Sequence, residues 1–434
     1  GKGYVTRIDV DQAILTDHTI KGEEASALYA LRENFAALAI RGANGELQVG
    51  IAQLQAFHDI LPASTAAAVE ASMTAATDFL KIVHRGLYPA GTPEVSLHKM
   101  RALNQRNRGN CYLLSGIGSL SVIDVDQVRS MITDNGLDAR GIRTFSVRFI
   151  RAPGEEYLVE ELTDAAVLIN DFDMDSGIWS SVLVRAYGMY QMRHPYVRII
   201  QRWFFNLNER ILPEDLTNEG SMSNDGLRMM SPPGAKISRI VWKFDKTTLQ
   251  SEIGDALVQG MQQLRHSTPE QLKAAADAAP WLHDCLELLP LMDDPLIEAL
   301  VNFYLKEVVA EKFADWADWA LTLALYSERN PARTHALLKK SICDQRLPAT
   351  VTKYGGTHEA SIIAYHCGTV SSDGKHTSAY GFVTIRDQAG LSAAERDKVT
   401  AGIWWRDPGA DFETVTMTVE EFTAFYTGVS SAVR

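Results

Sequence analysis

Cysteine is scarce. The four in 434 residues, Cys111, Cys285, Cys343 and Cys367, include no pair spaced like a zinc or redox motif, and they are too few for a disulfide framework. Basic residues are also outnumbered, 42 Lys and Arg against 54 Asp and Glu, for a formal net charge of −12. No Lys/Arg run is longer than a pair, so phosphate backbones and anionic lipid are repelled and nucleic acid is set aside as a partner. No stretch reaches about 18 consecutive apolar residues, so no membrane span is expected. Internal repeats and low-complexity tracts are missing as well. What remains is 46% hydrophobic and 22% charged, a balance that excludes disorder and fibrous architecture. At about 150 residues per domain the length predicts two or three domains. The chain opens Gly1-Lys2-Gly3 without a methionine, so a fragment or processed form is expected.

Residues 1 to about 85 read as mostly helical, with Ala25–Ile40 and Thr65–Val83 as the clearest helices and Gly42-Ala43-Asn44-Gly45 as a turn. From Leu87 to about Tyr190 the pattern is mixed. Arg143–Arg151 and Tyr157–Leu162 read as strands around Ala152-Pro153-Gly154, and a helix is predicted over about Gly177–Met192. Pro213–Pro233 is polar and rich in Gly and Pro, the composition of an exposed loop or linker. Thr247–Ser341 reads as helical again. From Ala349 the chain returns to strands, with His358–His366 and Thr377–Asp387 flanking Ser371-Ser372-Asp373-Gly374-Lys375, a hairpin signal.

Cys111 stands apart from the other thiols. It follows Gly109-Asn110 and precedes Leu113, Leu114, Ile117 and Leu120, an apolar helical stripe. Asn110 reads as an N-cap, which puts Cys111 in the first turn of a buried helix. There the free N–H groups and the helix dipole favour a thiolate, the reactive form. The alternative reading is a buried structural thiol.

A nucleophilic thiolate needs an imidazole, and the imidazole needs an orienting group. Of the eleven histidines, His358 lies as far before the point between Ser372 and Asp373 as Asp387 lies after it. A four-residue loop, Ser371–Gly374, would set the two directly opposite on one face. A two-residue Asp-Gly loop would leave them diagonal neighbours on that same face; an odd-length loop would separate them. His366 and His376 lie too near the loop to meet Asp387.

These segments resemble the calpain family of papain-like cysteine proteases. Gln105 followed by Gly109-Asn110-Cys111-Tyr112-Leu113-Leu114 resembles the family's Gln-x4-Gly-Asp-Cys-Trp-Leu-Leu. Trp179–Tyr187 resembles its Trp-to-Tyr helix. Thr357-His358-Glu359-Ala360-Ser361-Ile362 and Ile385-Arg386-Asp387-Gln388-Ala389-Gly390 resemble its Gly-His-Ala-Tyr-Ser-Val and Leu-Arg-Asn-Pro-Trp-Gly. Phe412–Thr427 is similar to the segment that closes the protease core. The resemblance implies an α+β papain-like core, a helical lobe carrying the Cys and an antiparallel sheet lobe carrying the His and Asp. It divides the chain into a helical N-terminal accessory unit (1–85), a Cys lobe (86–200), a loop and helical insertion (201–345) and a His/Asp sheet lobe (346–434).

By the same resemblance Cys111 is the nucleophile, His358 the base and then acid, Asp387 the orienting residue in place of asparagine, and Gln105 an oxyanion donor with the Cys111 N–H. The family's Pro and Trp are Gln388 and Ala389 here, so the shielding indole is missing or supplied by Trp404 or Trp405. No cofactor is required; the resemblance raises calcium, for which no site is assigned. The implied activity is amide hydrolysis of a protein or peptide substrate through a thioacyl intermediate. The alternatives are a transferase or deamidase using the same triad, and a non-catalytic interaction module. The architecture suits a delivered effector or toxin domain working in a reducing compartment such as cytoplasm.

Overall fold

The computed structural model describes residues 3–42, 45–83, 85–88, 110–169, 177–193, 212–213, 223–241, 329–353, 358–406, 413–426 and 428–434. Gln105, Thr357 and most of the expected helical insertion lie outside them. The described chain is mixed α+β and its sheets are antiparallel. Near the N-terminus a small sheet of β1 (Tyr4–Thr6), β2 (Ile40–Arg41) and β3 (Leu47–Gly50) joins the expected helices, which run Gly22–Glu33 and Ala63–Ile82. The reading of 1–85 as mostly helical therefore missed three strands, each only two to four residues long and too short to show alternation.

The helix Cys111–Ile123 follows, then a sheet of β4 (Ile132–Leu137), β5 (Arg143–Val147) and β6 (Tyr157–Glu160), and the helix Trp179–Arg193. Val10, Ile14, Leu113, Ile117, Leu120, Phe145, Trp179 and Leu183 share one buried apolar cluster, so the N-terminal helices and the cysteine-bearing helix pack on a common core. The expected loop Pro213–Pro233 contains the helix Ser223–Met229. This helix presses its glycine onto the cysteine helix: a methyl group built on Gly226 would sit 2.2 Å from the Tyr112 carbonyl oxygen. Only glycine allows so close an approach of two backbones.

The second core lies in a six-stranded sheet. It is built from β7 (Lys236–Val241), β8 (Ala349–Lys353), β9 (His358–His366), β10 (Phe382–Arg386), β11 (Thr414–Thr418) and β12 (Gly428–Val433), in the order β11-β10-β9-β8-β12-β7. Val351, Ala360, Ile362, Val383, Ile385, Val415 and Val429 form its buried face, joined by Trp404, Phe422 and Tyr426. The β-branched content of these strands suits a sheet buried on this face. The cysteine helix packs on the other face. Ser119 Oγ donates to the Ile362 carbonyl at 2.7 Å and accepts from the Ala349 amide at 2.9 Å, and Ser361 Oγ donates to the Ser115 carbonyl at 3.0 Å.

Candidate active site

Cys111 occupies the first position of its helix, with Tyr112 through Ser121 all buried behind it. Asn110 does stand at the cap, but its side chain does not act as one. With φ −99° and ψ 17° it makes no side-chain cap bond, and its buried Oδ1 has no partner among the described residues. Its backbone carbonyl instead accepts from the amides of Leu113 and Leu114 at 3.0 Å. The β-region backbone that lets a capping side chain turn back is absent here.

His358 opens β9 and Asp387 follows the last residue of β10. The hairpin between them is centred between Asp373 and Gly374, since Val370 bridges Thr377. Along the ladder Phe382 pairs with His366 and Thr384 with Ala364, one residue out of step with that turn. Continued unbroken, this register would set Asp387 opposite Ser361 and so on the face away from His358. A bulge between Thr384 and Ile385 skips Ile363, so that Ile385 pairs with Ile362 and Arg386 with Ser361. One residue further, Asp387 falls across from Ala360, diagonal to His358 and on its face. The diagonal arrangement is the one observed, rather than the directly opposite pair.

His358 Nε2 donates to Asp387 Oδ1 at 2.8 Å, and the ring is also hydrogen-bonded with the Cys111 thiol. With Nε2 taken by the carboxylate, Nδ1 is the nitrogen left for the sulfur. Burial would lower the basicity of this ring, but the bonds to Asp387 and Cys111, with the charges of both, push its pKa up to about 9. The imidazole is thus a cation at neutral pH. Asp387 is 1% exposed. Burial would raise its pKa, yet the bond from His358 and the charges of Lys353 and His358 hold it below the usual carboxylate range.

The turn after β10 fixes that carboxylate. The Ala389 amide donates to Asp387 Oδ1 at 2.9 Å, and the Gly390 amide, from a residue with φ +90°, donates to the Asp387 carbonyl at 3.1 Å. Gln388, where the family has Pro, is buried and donates from Nε2 to Ser361 Oγ, which in turn holds the Ser115 carbonyl of the cysteine helix. Trp404 packs on Phe425 and Tyr426, and Trp405 stacks on His376 with ring centres 3.8 Å apart.

Two residues of this site went unnoticed in the sequence. Lys353, at the end of β8, pairs directly with His358 across the β8–β9 ladder. Its ammonium bonds Asp387 Oδ2 and, at 2.8 Å, Glu395 Oε2. Glu395 also accepts from the Ser392 amide and hydroxyl, each at 2.7 Å, and from the Tyr426 hydroxyl at 2.7 Å. Tyr354-Gly355-Gly356-Thr357 between two apolar runs was the available signal for Lys353, because in a hairpin the residues that flank a four-residue loop face each other. Ser392-Ala393-Ala394-Glu395 has the form of a capping box, which explains Glu395 locally and hides its second partner.

Two other thiols come together in the fold although nothing in their spacing marks them as a pair. Cys343 and Cys367, 24 residues apart, lie with their sulfurs 2.9 Å from each other at the far end of β9, both as free thiols. Among the described residues no group of three or more His, Cys, Asp or Glu is gathered that could hold a metal ion, and no helix is long and apolar enough to cross a membrane. No family model matches this chain, and no curated protein sequence matches it.

Proposed function

We propose that the protein is a cysteine endopeptidase with a papain-like core of the calpain type, acting through Cys111, His358 and Asp387. The observation that carries this reading is the placement of one imidazole between a helix-N-terminal thiol and a buried carboxylate, with Nε2 2.8 Å from Asp387 Oδ1. Two features add support: the cysteine helix lies against a six-stranded antiparallel sheet that supplies the other two residues, and four separate sequence segments resemble the family.

In this mechanism His358 holds the proton given up by the Cys111 thiol, leaving a thiolate–imidazolium pair that Asp387 orients and neutralises. The sulfur attacks the scissile carbonyl carbon, and the oxyanion forms against the Cys111 N–H, which the helix itself cannot satisfy. Gln105 is assigned as the second donor through the resemblance alone. Collapse breaks the C–N bond as the imidazolium protonates the leaving amine. Water then attacks the thioester as the now neutral His358 takes its proton, and collapse of the tetrahedral intermediate breaks the C–S bond, releasing the acid product and restoring the thiolate–imidazolium pair.

The test is labelling with an E-64-type epoxide followed by product analysis on a proteome digest. Wild-type protein should be labelled at Cys111 and should generate new peptide amino termini, and Cys111→Ala should do neither. Labelling without new termini would move the reading to acyl transfer or deamidation; no Cys111-dependent labelling would sink it.

A further inference from the structure

The resembled family orients its imidazole with an amide, whereas this chain uses a carboxylate, and the buried surroundings of Asp387 supply a reason. Three donors reach it, on both oxygens: His358 Nε2–H and the Ala389 amide on Oδ1, and the Lys353 ammonium on Oδ2. A carboxylate accepts at both ends, but an amide has one acceptor end and one donor end. Asparagine at 387 would therefore turn its NH2 against either the lysine or the histidine.

Lys353 has no room to withdraw. It is 2% exposed, and Glu395, its second partner, is 0% exposed and held from Ser392 and Tyr426. Two cations, Lys353 and His358, stand against two carboxylates, Asp387 and Glu395, with all but the partly exposed His358 almost completely buried. Removing one charge there leaves its opposite uncompensated.

We propose that Lys353 is a positioning residue of this site: anchored by Glu395, it holds the Asp387 carboxylate through Oδ2 and makes a carboxylate, rather than an amide, obligatory beside His358. The proposal rests on the Cys111–His358–Asp387 reading above, and its consequence is conditional chemistry. Asparagine at 387 fails because lysine is present and works once lysine is gone.

The experiment measures the alkylation rate of Cys111 by iodoacetamide, read peptide by peptide in the full chain, with a thermal melt of each variant. Asp387→Asn alone should slow Cys111 by at least about 100-fold, the cost of presenting the wrong group to the imidazole. Lys353→Gln/Asp387→Asn exchanges the ammonium–carboxylate pair for two amides that can bond each other, leaving the Asn Oδ1 for His358. It should react within about tenfold of wild type. Lys353→Met/Asp387→Asn/Glu395→Gln reaches the same end by emptying the cluster of fixed charge and should also recover. The proposal is overturned if Asp387→Asn reacts within about tenfold of wild type, or if neither rescue variant exceeds it. Failure of both rescues to fold while Asp387→Asn folds overturns it too. If wild-type Cys111 reacts no faster than in His358→Gln, the triad reading itself has failed; that result comes from a different pair of proteins, so the two failures are distinct.

Discussion

His358 holds a proton more tightly in the folded chain than it would unfolded, and this difference contributes to stability. Its folded pKa of about 9 lies above the ordinary histidine value of 6.5. The contribution is therefore fully present below about pH 6.5 and is lost as pH rises through about 9, with a size of a few kcal/mol. Melting wild type and His358→Gln in parallel should show wild type ahead at about pH 6 and the gap closing by about pH 10. A gap that stays constant or widens with pH would contradict the charge state assigned to the ring. Cys111, His358 and Asp387 were legible in the sequence because each sits in a local pattern: a cysteine before an apolar helical stripe, and two residues flanking an Asp-Gly turn at related distances. The burial of Lys353 and Glu395 was not, since a lysine at a strand end and a glutamate three residues into a helix have ordinary surface explanations. Only the packing of the helix Ala393–Thr400 against the sheet shows that both are buried.

At the scale of elements, the register of β9 on β10 was predictable only up to the choice of turn. The bulge at Ile363 carries no sequence mark, because its side chain is apolar and joins the first core while its neighbours Ile362 and Ala360 face the second. Strand periodicity alone cannot reveal a skipped residue of that kind. The asparagine cap was misread for a related reason: residue type at the cap is visible in sequence, but backbone geometry is not. The join between the cysteine helix and the sheet depends on Ser119, whose hydroxyl serves a carbonyl and an amide at once. Ser119→Ala takes the hydroxyl away from both buried groups and should lower stability by about 1–3 kcal/mol in urea titration. Gly226→Ala should cost more, as its new methyl meets the backbone of Tyr112 and Leu113 rather than a movable side chain. A Gly226→Ala protein as stable as wild type would contradict the described seating of the helix Ser223–Met229.

At the scale of the molecule, two apolar cores of the described residues meet at one helix. The first takes in residues from Val10 to Met230 together with Ile363, and the second runs from Leu338 to Val429, with Cys111–Ile123 packed between them. The N-terminal helices belong to the first core and are tied to it by polar contacts. Asp164 accepts from the Gly22 amide at 3.0 Å and pairs with Arg85 at 2.7 Å, while Thr163 Oγ donates to the Ile14 carbonyl at 2.5 Å. A chain beginning at residue 86 should therefore be aggregated or lack a cooperative melt by size-exclusion chromatography and circular dichroism. A soluble, cooperatively melting truncation would contradict the shared core. The composition of the first 85 residues could announce helices but not which surface they cover.

The central claim is that His358 makes Cys111 a nucleophile, and per-cysteine alkylation rates at about pH 6.5, where an ordinary thiol is protonated, test it most directly. Cys343 serves as the internal control, its thiol pushed up to about 12 by burial and by the neighbouring Cys367. The account predicts Cys111 modified at least about 100-fold faster in wild type than in His358→Gln, with the Cys343 rate the same in both. Equal rates at the two cysteines, or a fast Cys111 that persists without His358, would contradict it.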